Sequence, residues 1–185
     1  MRSTKQLHYK LIQECKKQNT KAQLQLYNNY AQGMLSVANR YVKDIHLAED
    51  VMQDAFIKAF KNIESYKEEV SFGAWLKRIV INQSIDELKK NKLAMISINE
   101  EVLNVVEDGN WEVDNGVTSE MVVDAIHKQK EKYRLVLSLY LMEGYDHSEI
   151  SQILGITEVT SRTHLMRGKK LVKEYLKITN HAEGY

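Results

Sequence analysis

Apolar residues recur three and four positions apart along most of this chain, and no proline interrupts the pattern anywhere in its 185 residues. This spacing places the apolar side chains on one face of an α-helix. Proline disrupts helix interiors and is common in loops, so its absence favours helices joined by short polar turns. The longest apolar runs, such as residues 93–96, are far too short to cross a bilayer. We therefore expect an all-α protein without membrane insertion.

The first half of the chain carries four helical stripes of apolar residues. A short stripe surrounds Leu11, and longer stripes occupy residues 24–41, 51–63 and 72–85. Thr20 precedes the second stripe and is the residue type that caps helix N-termini, so we expect it to be the N-cap of that helix. The pattern predicts a four-helix domain that ends in a basic run at residues 89–92.

The net charge of +1 hides an uneven distribution. Residues 1–92 carry a net charge of +6, residues 93–118 contain six acidic residues and no Lys or Arg, and residues 119–185 carry +1. Segregation of this kind indicates contact with a polyanion in more than one place, although ordinary solvated faces would give the same counts. Residues 93–117 also lack a sustained apolar period, which predicts a linker between two helical domains.

A helix-turn-helix is predicted over residues 146–176. Helical periodicity returns near residue 118 and leads into this segment. Ser148 is the expected N-cap of the first helix, Gly155 supplies the left-handed backbone that ends it, and Thr157 caps the second helix. Val159 and Leu171 are among the residues expected on the buried side of that second helix.

The outward face of the second helix is expected to bind DNA. Its guanidinium, hydroxyl and imidazole groups can meet phosphates and base edges in the major groove. A surface hairpin with solvated basic side chains is the alternative, but it does not account for the joint pattern of short helix, glycine turn, capped second helix and basic face. The residues predicted to contact DNA are Thr160, Arg162, Thr163, His164, Met166, Arg167 and Lys170.

No pattern typical of an enzyme occurs in the sequence. The six histidines lack metal-ligand spacing, and there is neither a Gly-rich phosphate loop nor a nucleophile elbow. Cys15, the single cysteine, cannot form an internal disulfide and lies on the first apolar stripe, so we expect it to be buried. Residues 1–17 lack the apolar stretch of a signal peptide. We therefore expect a cytoplasmic protein without catalytic residues, metal or cofactor.

Several segments together resemble the extracytoplasmic-function (ECF) subgroup of bacterial sigma factors. Residues 48–57 (AEDVMQDAFI) look like the family's polymerase-binding helix. Residues 72–79 (FGAWLKRI), followed by Asn82 and Asp86, look like its helix for the −10 promoter element. Residues 131–145 contain EKYR and EGY, which resemble the lead-in to the unit that binds the −35 element.

The resemblance covers nearly the whole chain and implies its architecture and function. Residues 1–92 would form a region 2-like four-helix domain, residues 93–117 an acidic linker, and residues 118–185 a region 4-like helix-turn-helix domain. The protein would bind core RNA polymerase, recognise and melt the −10 element, and read the −35 element. An anti-sigma factor is the further partner that the resemblance implies. A conventional helix-turn-helix regulator that acts without polymerase is the alternative reading.

The resemblance assigns polymerase binding to one face of the helix at residues 48–57. Charge-assisted hydrogen bonds from its acidic and amide groups would dock the polymerase clamp. Capping of the helix N-terminus is an alternative role for the first two of these residues, but it does not account for the amide. The residues concerned are Glu49, Asp50, Gln53 and Asp54.

The loop at residues 64–71 occupies the place of the family's base-selecting loop. Tyr66 would offer a stacking face and Lys67 a phosphate contact, whereas the neighbouring glutamates at 68 and 69 would repel phosphates. Trp75 is expected to be mostly core, yet it lies where the family holds an unpaired base. The residues that the resemblance assigns to the −10 element are Tyr66, Lys67, Trp75, Lys77, Arg78, Asn82, Lys89 and Lys90.

Two features of the second half call for separate interpretation: the acidic linker and the start of the helices that follow it. The acidic linker would enter the positively charged channels of the polymerase and mimic RNA, or it would serve as a solvated tether.

The family usually has a Leu-Pro pair where this chain has Gln129-Lys130. Because proline there would start a new helix by setting its φ angle, we expect residues 118–143 to run as one longer or bent helix instead.

Overall fold

The computed structural model describes residues 7–93 and 117–182. Within these ranges the chain forms α-helices and no strand, which confirms the all-α prediction. The chain divides into two compact units, residues 1–97 and 98–185, and each is described by itself. The predicted linker at residues 93–117 lies outside the described residues except at its two ends. No helix in the described ranges is long and apolar enough to cross a membrane.

The first unit contains the four expected helices. They are α1 (Tyr9–Lys16), α2 (Thr20–Val42), α3 (Ile45–Lys61) and α4 (Phe72–Leu93), with a 3₁₀ turn at Ile63–Ser65. Helices α2, α3 and α4 pack against one another, and α1 packs on α2. Burial of each large apolar side chain contributes about 1.5–3 kcal/mol to this core. The fully buried residues include Leu26, Ala38, Ala48, Ala55, Leu76 and Val80, together with Cys15, as predicted.

Helix starts in this unit are set by side chains just outside each helix. Asn19, rather than the predicted Thr20, caps α2: its Oδ1 accepts hydrogen bonds from the backbone N–H of Lys21 at 3.0 Å and Ala22 at 3.3 Å. Thr20 is already the first helical residue, so its hydroxyl cannot serve as that acceptor. Asp44 caps α3 in the same way, accepting from Leu47 at 2.9 Å.

The second unit is built on one long helix. It contains α5 (Ser119–His127), α6 (Glu131–Leu137), a π-helical turn (Ser138–Met142), α7 (His147–Leu154) and α8 (Glu158–Ala182). Helix α8 packs against α5, α6 and α7. The close crossing of α6 and α8 uses Gly168, where an added Cβ would lie 2.9 Å from the Leu137 side chain.

The expectation of one longer or bent helix over residues 118–143 is wrong, because the segment forms two separate helices. The helix ends after His127, and α6 begins at Glu131. Lys130 is the N-cap of α6, with φ −57° and ψ 145°. This is the φ that a proline ring imposes, so the backbone here adopts the conformation of the family's proline without having the residue. The break therefore does not depend on proline at this position.

Candidate nucleic-acid interface

Helices α7 and α8 form the predicted helix-turn-helix. Asp146, not the predicted Ser148, caps α7 through a capping box: its Oδ1 accepts from the Glu149 N–H at 2.8 Å, and the Glu149 carboxylate accepts from the Asp146 N–H at 3.1 Å. Ser148 is the second residue of the helix and lies too late to cap it. The reciprocal pair leaves two backbone N–H groups satisfied at the helix start.

The turn between the two helices has the predicted form. Gly155 adopts φ 70° and ψ 38°, the left-handed conformation that ends α7. The hydroxyl of Thr157 accepts from the backbone N–H of Thr160 at 3.1 Å and caps α8. Both predictions are confirmed. Each concerns residues close to one another in the sequence, so the sequence alone was enough to make it.

A partly buried hydrogen bond joins α7 to α8. His147 Nδ1 lies 2.9 Å from the hydroxyl of Ser161, which is fully buried. The imidazole also stacks on the Tyr140 ring at a centroid distance of 4.9 Å. Burial lowers the pKa of His147, and the positive charge of Arg162 lowers it further. The neutral imidazole is therefore favoured, and its hydrogen bond to Ser161 holds α8 in a set orientation against α7.

The exposed face of α8 differs from the predicted one at His164. This residue is only 5% exposed, and its ring meets Tyr133 edge-to-face at 5.5 Å. The prediction that it faces outward is wrong, because Ser161, His164, Leu165, Gly168 and Val172 recur at helical spacing and form the buried side. Small and polar residues in that seam obscure its periodicity in the sequence.

The opposite side of α8 is open to solvent. Arg162 and Lys170 are exposed, and Thr160, Thr163, Met166 and Arg167 are half-buried. Val159 and Leu171, expected on the buried side, are 56% and 37% exposed. That expectation is wrong, because these two apolar residues lie on the outer side of α8 and not in the seam that packs against the rest of the unit.

Arg162 is held near the start of α8. Its Nη2 lies 3.4 Å from the Glu158 carboxylate one turn earlier, and both side chains are about half exposed. Pairs of this kind on a helix surface contribute only about 0.3–0.5 kcal/mol. The guanidinium can therefore exchange the carboxylate for a phosphate with little loss of free energy.

A second polar face runs along α4. The spacing of three, four and seven residues places Trp75, Arg78, Asn82 and Lys89 on one side of the helix. Arg78 is exposed, and the other three are half-buried. Lys77 lies at least about a quarter of a turn around the helix axis from this face, so it is beside the face and not on it. Lys90 is exposed; a hydrogen bond from Lys90 to Glu87 at 3.0 Å raises the pKa of its amine.

Tyr66, in the loop before α4, is a core residue. It is 2% exposed, its hydroxyl donates to the Val70 carbonyl at 2.7 Å, and its ring packs on Phe72 and Trp75 at 5.5 and 5.2 Å. Burial, with a smaller effect from Glu68, raises its pKa to about 12. The predicted stacking face is therefore covered. Lys67, its neighbour, is exposed as expected.

The acidic face of α3 is exposed at all four predicted positions: Glu49, Asp50, Gln53 and Asp54. The capping alternative for the first two is wrong, because Asp44 caps this helix and Glu49 lies a full turn inside it.

A groove of about 380 Å³ runs beside this acidic face, between α2 and α3. Its walls include Phe56, Phe60 and two exposed aliphatic residues, Leu24 (62% exposed) and Ile57 (52% exposed). Leu24 begins the second apolar stripe of the sequence, yet its side chain is exposed in this groove. Apolar periodicity alone does not distinguish a residue that fills the core from one that lines an open groove.

Within the described ranges, no three His, Cys, Asp or Glu side chains are arranged to hold a metal ion.

Comparison with known families finds two matches, in the order of the two units. Residues 26–93 match the family model described as Sigma-70 region 2, and residues 119–172 match Sigma-70, region 4.

Individual relatives match over most of their length. The chain is 30% identical to the ECF RNA polymerase sigma factor SigW of Bacillus subtilis (strain 168), covering 91% of this chain and 96% of that protein. It is 26% identical to the ECF RNA polymerase sigma-E factor of Haemophilus influenzae, covering 88% and 92%. Among solved structures, the sigma factor RpoE in complex with the anti-sigma factor NepR from Bartonella quintana matches with a TM-score of 0.51 and 18% identity, covering 83% of this chain and 96% of that one. At that identity the likeness concerns the fold.

Proposed function

The chain belongs to the ECF subfamily of RNA polymerase sigma factors, and on that premise we propose how its residues bind core polymerase and promoter DNA. The observation that carries the assignment is 30% identity to an ECF sigma factor across nearly the full length of both proteins. The protein is thus a polymerase-associated initiation factor rather than a helix-turn-helix regulator that acts alone. We assign no catalytic step to its residues and infer that it works in the cytoplasm, where the polymerase is.

Reading of the −35 element is assigned to the solvent side of α8. Arg162, Arg167 and Lys170 supply positive charge, and hydroxyl and thioether groups at positions 160, 163 and 166 can meet base edges in the major groove. The partly buried hydrogen bond between His147 and Ser161 supports this role by holding the helix at a set angle. His164 is left out because its ring is inside the unit.

Opening of the −10 element is assigned to α4 and the loop before it. Arg78 and Lys89 would hold phosphates, and Asn82 between them would contact a base of the separated strand. Trp75, half-buried beside them, offers a partly open ring. Lys67, Lys77 and Lys90 remain in the proposal as contacts to the backbone, while Tyr66 becomes an anchor of the loop.

Docking to polymerase is assigned to α3 and the groove beside it. An exposed acidic rim next to an open apolar channel suits a partner helix that has basic and apolar residues on one side. The apolar groove would supply burial energy, and the carboxylates would orient the partner. We further propose that an anti-sigma protein regulates this chain, as NepR binds RpoE.

Run-off transcription with core polymerase over a promoter library with randomised −35 and −10 positions tests the proposal. We expect initiation only when this chain is added, with a defined preference at both elements. Specific DNA binding without initiation would overturn the sigma-factor assignment and revive the regulator reading.

The docking surface has its own test. The double variant Asp50→Lys/Asp54→Lys is expected to weaken binding to core polymerase at least about tenfold, since it reverses two charges at the contact. Glu174→Lys, an exposed change on α8, is the matched control and should leave core binding unchanged. Equal affinities for the two variants would remove the α3 face from the proposal.

A further inference from the structure

Side chains of helix α1 form hydrogen bonds and an ion pair with the loop that precedes α4. Gln13 Nε2 donates to the Glu68 carboxylate at 3.0 Å, and Lys16 Nζ lies 3.6 Å from the same oxygen. Lys16 also donates to the backbone carbonyl of Tyr66 at 3.3 Å. Two side chains of one short helix thus hold both a side chain and the backbone of a loop about fifty residues further along the chain.

The backbone of Glu68 needs such support. Its φ is 63°, a left-handed conformation that residues other than glycine seldom adopt. A conformation of this kind persists where the surroundings over-determine it. Here the carboxylate is bonded to α1, and its side chain is 31% exposed against 20% for Lys16, so the pair is screened less than one on the open surface.

The same loop is anchored from inside by Tyr66. Its hydroxyl closes the loop on the Val70 carbonyl, and its ring lies against α4. The Lys16 ammonium is 5.9 Å from the centre of that ring, so α1 contacts this anchor as well. With positions 66 and 68 held inward, the side chains left exposed are those of Lys67, Glu69 and Val70.

We propose that Gln13 and Lys16 are positioning residues for promoter recognition: they fix the loop at residues 66–70 in the conformation that selects a base of the −10 element. The inference rests on the proposed function, in which α4 and this loop open the −10 element, and adds to it that the loop selects a base. Both residues lie before residue 26, where the match to the region 2 family model begins. The contacts from Gln13 and Lys16 to residues 66 and 68, here called the latch, therefore lie outside the matched range.

The test measures base preference rather than overall activity. Holoenzyme carrying Lys16→Met, which keeps the apolar stem but removes the charge and the donor, is assayed by run-off transcription over the library of −10 and −35 variants. We expect discrimination at one −10 position to fall by about fivefold, a fraction of what a well-formed base contact supplies. Preference at the −35 element should not change.

Lys17→Met is the matched control. Lys17 is the next residue, and its ammonium pairs with Glu14 on the same helix at 3.0 Å. The −10 preference of the Lys17→Met variant should equal that of the unmodified protein. Lys16→Arg keeps a cationic donor within reach of the loop, and we expect it to retain most of the −10 preference.

The outcomes separate the latch from the function on which it rests. If the unmodified chain directs no promoter-specific initiation, the proposed function fails. If it does, and Lys16→Met lowers all transcripts in proportion with an unchanged −10 profile, Lys16 is merely structural and the latch is overturned. Should Lys16→Met fail to fold, as judged by its melting curve, Gln13→Leu removes one hydrogen bond from the same carboxylate, and an unchanged −10 profile in that variant also overturns the inference.

Discussion

Arg167 is the residue of α8 best suited to read a base. It is half-buried midway along the solvent side of the helix, and no ion pair engages it in the described part of the chain, whereas Arg162 is paired with Glu158. We predict that Arg167→Ala costs about 1–3 kcal/mol of promoter binding and relaxes preference at one −35 position. Competition binding of holoenzyme to −35 variants measures both effects. Lys173→Ala, at an exposed position further along α8, is the control; an unchanged −35 preference in Arg167→Ala would exclude base reading by this residue.

His147 makes the stability of the second unit depend on pH. Its pKa in the folded protein lies below the unfolded value of about 6.5, chiefly because of burial. Between those two values the unfolded chain binds more protons than the folded one, so stability is lost as the pH falls from about 6.5 through the folded pKa.

We therefore predict that His147→Gln, which can keep a hydrogen bond to Ser161 without titrating, reduces this acid sensitivity. Melting temperatures measured from about pH 7.5 to about pH 5.5 should fall less steeply for the variant than for the unmodified protein. Parallel curves would show that His147 does not control the response.

At the scale of elements, the crossing of α6 and α8 depends on a missing side chain. A Cβ at position 168 would lie 2.9 Å from Leu137 Cδ1, closer than real Cβ contacts, and 3.0 Å from its Cγ, tighter than most of them. We predict that Gly168→Ala destabilises the protein by about 1–3 kcal/mol, as overpacking of a well-filled core does.

Gly33→Ala is the matched control for that change. Gly33 lies inside α2 with nothing within 4 Å of its added Cβ, so alanine should stabilise the helix by about 0.5–1 kcal/mol. Denaturant unfolding of both variants gives the comparison. Equal effects of the same sign would contradict the packing argument for Gly168.

On the whole-molecule scale, two proposed DNA contacts lie in separate units. Lys67 is exposed in the first and Lys170 in the second. If each meets a phosphate, Lys67→Gln and Lys170→Gln should each lower the slope of log affinity against log salt by about 1, and the double variant by about 2. Filter binding of holoenzyme to promoter DNA over a salt series measures these slopes. Lys128→Gln, exposed outside both surfaces, should not change the slope; a double variant no different from one single variant would contradict two-point contact.

The sequence by itself determined the helical class, the helix-turn-helix, and the two residues at its turn, Gly155 and Thr157. Apolar spacing within a helix, Gly155 at the turn and Thr157 at the cap act on neighbours three or four positions away. The exposed acidic face of α3 was predictable for the same reason. The domain boundaries and the roles of the individual site residues remain predictions.

Only the tertiary structure decided which of the remaining residues are available to a partner. His164 faces Tyr133, Tyr66 lies beneath Trp75, and Leu24 lines an open groove rather than the core. The bonds from α1 to Glu68 join residues 55 positions apart. Such contacts depend on which side chain lies opposite once helices pack, and the periodicity of one segment carries no information about its neighbour across the core.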